Sequence, residues 1–151
     1  MSTTTRTVSA TPEQVWEVLA DGWLYPLFVV GASRMRDVDE SWPAVGARLH
    51  HSVGSWPLLI DDTTEVVEVE EGRRILLLAR GWPAGQAHVD ISLEPADSLA
   101  PSGDATVVTI TEDATAGPGR LVPKPLRDAQ LHWRNVETLR RLAFVVEGRT
   151  Q

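Results

Sequence analysis

His51 and Glu65 are the two residues whose types and spacing could do acid–base chemistry together. Leu49, His51 and Val53 share one face of a strand over Arg48–Val53, and Thr63, Glu65, Val67 and Val69 share one face of the next, over Thr63–Glu70. A hairpin centred near Leu58 sets His51 opposite Glu65. Opposed side chains have Cβ atoms about 4.5–5.5 Å apart, near enough for a carboxylate to orient an imidazole. Burial and mutual charge would shift both pKa values toward general acid–base work. The same pair could equally be a structural hydrogen bond. A one-residue slip of register would turn every one of these side chains to water.

The remaining polar constellations are weaker. His88 and Asp90 share a strand face, but Ala87, Val89 and Ile91 claim the buried side, so both point to water. Asp61-Asp62 lacks the regularly spaced oxygen ligands of a cation site and reads as a turn. His132 lies off the apolar stripe of its helix, at the surface or a rim. There is no His-Glu-x-x-His and no cysteine, so no metal site is expected. Gly54-Ser55-Trp56 lacks the downstream glycine of a nucleophile elbow. Gly117-Pro118-Gly119-Arg120 lacks the Lys-Ser/Thr ending of a phosphate loop, and Pro118 has no N–H to offer. No bound nucleotide or other cofactor is expected.

The tryptophans are the stronger signal. The chain has six Trp against two Phe and one Tyr, and three of the six stand in Trp42-Pro43, Trp56-Pro57 and Trp82-Pro83. Each dipeptide falls at a proposed strand end, where the following proline holds the Trp backbone extended. A Trp so placed offers a large, stiff contact surface with one N–H donor. It either plugs the end of the core or touches a ligand.

These residues must be positioned by a small set of elements. A strand is expected over Arg6–Ala10. Thr11-Pro12-Glu13-Gln14 then starts a helix, with Thr11 as cap and Gln14 three residues later. Val15, Trp16, Val18 and Leu19 form its apolar face. Trp23–Phe28 makes a second short helical turn. From Ser33 to Asp113 the period is close to two, with strands at about Met35–Glu40, Arg48–Val53, Thr63–Glu70, Arg73–Arg80, Gln86–Glu94 and Ala105–Asp113. Glu71-Gly72 is a hairpin turn. Pro123 and Pro125 bracket the start of a long helix that ends at Gly148, with Leu126, Ala129, Trp133, Val136, Leu139, Ala143 and Val146 as a continuous stripe. The elements give an α+β fold, a helix laid across an antiparallel sheet.

The 151 residues suit one domain, 1–151. Lys and Arg number 14 against 21 Asp and Glu, a formal charge of −7. An acidic chain makes a poor partner for nucleic acid or an anionic membrane, which need a positive field. The longest apolar stretches, Leu24–Ala32 and Trp56–Ile60, are far short of the ~20 residues that span a bilayer. The first residues lack the apolar run of a secretory signal, so a cytoplasmic location is expected.

The order strand, helix pair, six-stranded meander and long C-terminal helix resembles the START-like helix-grip (SRPBCC) superfamily, and within it the polyketide cyclase/dehydrase and lipid-transport family. The likeness is carried by Val8-Ser9-Ala10-Thr11-Pro12-Glu13-Gln14-Val15-Trp16, by Pro43-Ala44-Val45-Gly46-Ala47-Arg48-Leu49, by Val107-Val108-Thr109-Ile110 and by the terminal helix. It covers about residues 4–147. It implies a curved sheet of about seven strands wrapped around the last helix, with an apolar cavity between them. In such a cavity Leu49, His51, Glu65 and Val67 would line the sheet side, and Trp133 and Val136 the helix side. Trp23, Tyr25 and Phe28 would form a wall or lid, and Trp56 and Trp82 the ends. The expected function is binding of a small hydrophobic ligand, lipid-like, aromatic or polyketide-like. An aromatase/cyclase or dehydratase using His51 and Glu65 is the alternative, and a protein-interaction module a third. Monomer and homodimer both remain open.

Overall fold

The Thr-rich start of the chain is an edge strand. β1 covers Ser2–Val8, earlier than the expected Arg6–Ala10. Its β-branched threonines suit a pleated surface and meet partners across the sheet: the Thr3 and Thr5 hydroxyls lie 3.2 and 3.3 Å from those of Thr111 and Thr109. The structure is a computed structural model that describes residues 1–30, 32–53, 57, 60–81, 85–96 and 104–149.

Helix α1 (Pro12–Leu19) begins where the capping signal puts it. The Gln14 N–H donates to Thr11 Oγ1 at 3.2 Å, and the Thr11 N–H donates back to Gln14 Oε1 at 2.8 Å. A 3₁₀ turn (Gly22–Leu24) leads into the short α2 (Tyr25–Phe28). Then come β2 (Ala32–Val38), β3 (Arg48–Val53), β4 (Ile60–Glu70), β5 (Arg74–Gly81), β6 (Gly85–Pro95) and β7 (Thr106–Ala116). Among the described residues, seven strands form one antiparallel sheet in the order β1-β7-β6-β5-β4-β3-β2. Helix α3 (Lys124–Arg149) lies across it. The order and architecture are those of a helix-grip fold.

Cross-strand register sorts side chains by size. Ile75, Ile91 and Ile110 form one row across β5, β6 and β7. The next inward row is Leu77, Val89 and Glu112, and the next is Ala79, Ala87 and Ala114. Large side chains therefore fill one end of the inner face, and methyl groups leave space at the other. Bulges between Val66 and Glu68 and between Gln86 and Ala87 interrupt the ladders. Bulges of this kind bend a sheet and increase its twist.

α3 buries a different stripe from the one expected. Its buried residues are Asn135, Thr138, Leu139, Leu142, Ala143 and Val146. Trp133 is 67% exposed and Val136 41% exposed, and Leu126 also stands in solvent. Apolar burial begins only at the middle of the helix, where it packs on β1 and α2. The first half borders the cavity at the open end of the sheet and meets β1 through polar groups, the Met1 amine on Asp128 and the Thr4 hydroxyl beside His132. Two polar residues take the inward positions that Trp133 and Val136 were expected to fill.

Gly85 holds the tight corner at the open end. Its φ of +113° is a left-handed conformation, and an added Cβ would drive into the Ala116 carbonyl oxygen of the neighbouring strand. Backbone cannot retreat as a flexible side chain can. Gly85→Ala is expected to destabilise the fold by about 1–3 kcal/mol, read as a drop of several degrees in Tm by thermal unfolding.

Candidate functional site

The small-residue end of the sheet opens into a cavity of about 890 Å³, walled by α2 and α3. Its sheet side carries the isoleucine, leucine/valine and alanine rows, and Leu142 closes it from the helix. Tyr25 and Phe28 form a side wall, with ring centroids 4.8 Å apart. The Tyr25 hydroxyl donates to the Leu19 carbonyl at 2.9 Å. The Trp42 Nε1–H donates to the same oxygen at 3.2 Å, its ring edge-on to Tyr25. Burial pushes the Tyr25 phenol far above its ordinary pKa, so it stays neutral. Trp42 is thus a core residue; Trp56 and Trp82 lie outside the described residues.

Polar groups break this apolar wall in two places. On β3 and β4, His51 Nε2 lies 2.9 Å from Thr64 Oγ1, both buried. On β7 and α3, the buried Glu112 carboxylate accepts a hydrogen bond from the Arg134 guanidinium. Asn135 sits close enough to favour the Glu112 charge, yet its Nδ2 closes no hydrogen bond with any described residue. Burial pushes the Glu112 carboxyl above the usual carboxylate range, opposed by Arg134 and Asn135. β5 and β6 separate the two groups, a span of about 14 Å along the sheet at the ordinary strand spacing.

Of the residues singled out in the sequence, Tyr25, Phe28, Leu49 and His51 line the cavity, and Trp133 stands at its rim. The others are elsewhere. His51 pairs in register with Asp62, and Glu65 with Arg48. The register differs by three residues from the expected one, and an odd slip exchanges the two faces. Glu65 therefore lies on the outer face, with Arg48 Nε at 3.3 Å and Arg80 Nη2 at 4.0 Å from Oε2. The expected His51–Glu65 pair does not form. Val67 is 37% exposed because Val66 takes the core position just before the β4 bulge. Trp23 is 55% exposed and borders a separate hollow beside Asp21 and Val38. The buried Gly22 takes the inward place there. Val136 is not on the wall.

Sequence reasoning missed Thr64, Glu112, Arg127, Arg134, Asn135 and Thr138, all on the cavity wall. For Glu112 a signal was available. The alternation Val108, Ile110, Glu112, Ala114 places its side chain on the inner face of β7, where a charge is unexpected. His88 and Asp90 face outward as expected. Asp90 is gripped there by Arg74, with Nη2 at 2.6 Å and Nε at 2.9 Å. Among the described residues, no three His, Asp or Glu side chains gather to hold a metal ion, and no helix is long and apolar enough to cross a membrane.

Burial holds the His51 imidazole below its usual pKa. Nearby Asp62 opposes this, while Arg36 and His50 add to it. Nδ1 has no partner among the described residues. In the neutral ring that nitrogen is a donor or an acceptor left unmet. Because the folded chain holds this proton less tightly than the unfolded one, the stability His51 contributes is full above the ordinary value of about 6.5 and is lost as pH falls below it. NMR titration should give His51 a midpoint below that value. His51→Asn should flatten part of the fall in urea-unfolding free energy between pH 7.5 and pH 5.

No curated protein matches the chain. Solved structures do, at low identity, and at that level they speak for the fold alone. A conserved protein from Geobacillus kaustophilus matches with a TM-score of 0.72 at 15% identity, over 97% of this chain and 94% of that one. The Zhui aromatase/cyclase from Streptomyces sp. R1128 matches with a TM-score of 0.68 at 19% identity, over 99% and 94%. Protein NE0264 from Nitrosomonas europaea matches with a TM-score of 0.69 at 16% identity, over 98% and 94%. A family profile described as polyketide cyclase / dehydrase and lipid transport matches residues 2–147. With the seven-stranded sheet, the long terminal helix and the cavity between them, this match establishes that the chain belongs to the polyketide cyclase/dehydrase and lipid-transport family.

Proposed function

We propose that the protein binds a small hydrophobic molecule inside the cavity between the sheet and α3. The observation that carries this reading is the cavity itself, about 890 Å³ and lined mainly by aliphatic and aromatic side chains. Small-molecule sites fall at about 300–1,000 Å³, with a few polar groups on an apolar wall. Transfer of about 300 Å² of apolar ligand surface out of water is worth about 7 kcal/mol before the costs of immobilisation. Membership of a family whose description includes lipid transport supports the reading.

A second reading, a cyclase-type enzyme, is favoured by one observation: His51, a residue of the cavity wall, has a buried ring nitrogen with no partner among the described residues. In that case the wall would fold a reactive chain and exclude water while His51 alone moved the proton. Glu65 has no part in it. His51→Ala separates the two readings, because an enzyme loses the turnover of a chain it still binds, whereas a binding protein has no turnover to lose.

The alanine row gives the direct test. Ala114→Phe, on the inner face of β7, fills the space that a ligand would take. The apolar fluorophore N-phenyl-1-naphthylamine should bind the natural chain with enhanced emission and bind this variant about tenfold or more weakly, a loss of about 1.4 kcal/mol. Circular dichroism checks that the variant still folds. Equal binding by a folded variant rejects the cavity as the site.

A further inference from the structure

Three buried side-chain polar atoms find no hydrogen-bond partner among the described residues: His51 Nδ1, Arg127 Nε and Asn135 Nδ2. All three residues line this one cavity. Two of the atoms can only donate, since a guanidinium Nε–H and an amide NH₂ have no lone pair to offer. Buried donors are costly to leave unmet. The three atoms themselves are shut off from the cavity; Arg127, whose Nη2 is not among them, is the donor left to meet an acceptor there.

Charge points the same way. The whole chain has 21 acidic residues against 14 basic ones, yet the charged residues on the cavity wall are Arg80, Arg127 and Arg134 against Glu112. Arg134 is held by Glu112, and Arg80 by Thr63 and Glu65 on the outer face. Arg127 makes no ion pair among the described residues; its Nη1 donates to the Arg120 carbonyl at 3.2 Å. An acidic chain thus keeps an uncommitted cation on the wall of its apolar cavity.

The placement of these groups defines the shape of what they would hold. Arg127 lies in the first turn of α3, among wall residues that are partly in solvent and so mark the mouth. The positive end of the helix dipole adds to the field there. Asn135 is eight residues further on, about 12 Å along the axis at 1.5 Å per residue. Leu142 and Ile110 close the deep end.

We propose that the ligand is an amphipathic organic acid, with its anionic head on Arg127 at the mouth and its apolar end against Ile110 and Leu142. This rests on the cavity-binding reading and adds the chemical class of the ligand. A charge-assisted hydrogen bond from Arg127 selects the acid over its neutral counterpart. An amine of the same shape meets arginines and is rejected.

Two fluorophores with one aromatic framework test this: 1-anilinonaphthalene-8-sulfonate, which carries the anion, and N-phenyl-1-naphthylamine, which lacks it. The natural chain should bind the sulfonate about tenfold more tightly, equivalent to about 1.4 kcal/mol. In Arg127→Gln the ratio of the two affinities should fall to about one, a readout that general damage to the cavity does not mimic. Dodecanoate should displace the neutral fluorophore and dodecylamine should not. Equal affinities in the natural chain, or a preference that survives Arg127→Gln, overturns the acid assignment and leaves cavity binding standing. If neither fluorophore binds, the cavity-binding reading falls and the assignment falls with it.

Discussion

The registers that join β5 to β6 and β6 to β7 decide what this molecule can hold. Backbone hydrogen bonds align isoleucine with isoleucine at one end of the inner face and alanine with alanine at the other. A close-packed interior leaves few voids larger than a water molecule, so a large cavity must be built by withholding side-chain volume along a whole row. One alanine among large neighbours would be filled by their relaxation. Three in line across adjacent strands cannot be, because the strands on either side fix their spacing. The same registers bring Glu112 into the row between, beneath the part of α3 that carries Arg134 and Asn135.

The polar groups on that wall are organised by what burial does to charge. A carboxylate taken out of water is costly unless it is paired, and Glu112 has Arg134 beside it. His51 meets the same cost differently, by holding its proton less tightly and bonding to Thr64. On the outer face, Arg74 bridges Glu68 and Asp90 in partial solvent. Similar residue types thus serve as ordinary surface pairs on one side of the sheet and as specific features of a cavity on the other.

Much of the architecture was legible in the sequence because it rests on local signals. The Thr11–Gln14 cap, the hairpin at Gly72 and the alternation along β6 each depend on residues close in the chain, and the family resemblance rests on their order. Tyr25, Phe28, Leu49 and His51 reach the cavity wall because parity and helix position place them there. Failures came where a partner sets the answer. The β3–β4 register depends on the connection between the strands, and an odd slip there removed Glu65 from His51. The α3 stripe depends on what the helix lies over: hydrophobicity favoured Trp133 and Val136, whereas the cavity receives Asn135 and Thr138. Glu112 had a readable parity, but a charged residue in a strand is ordinarily assigned to water.

α3 is a beam held by apolar packing in its second half and by polar contacts in its first. Between Leu126 and Glu147 it contains no proline or glycine, the usual causes of a sharp kink, and its buried apolar residues begin at Leu139. Such a beam has no joint near the mouth at which to bend. Any widening of the opening to admit a molecule larger than the gap must tilt the whole rod about its second half, shifting Leu139, Leu142 and Val146 against the core. The width of the mouth is thereby linked mechanically to core packing at Leu139 and Val146.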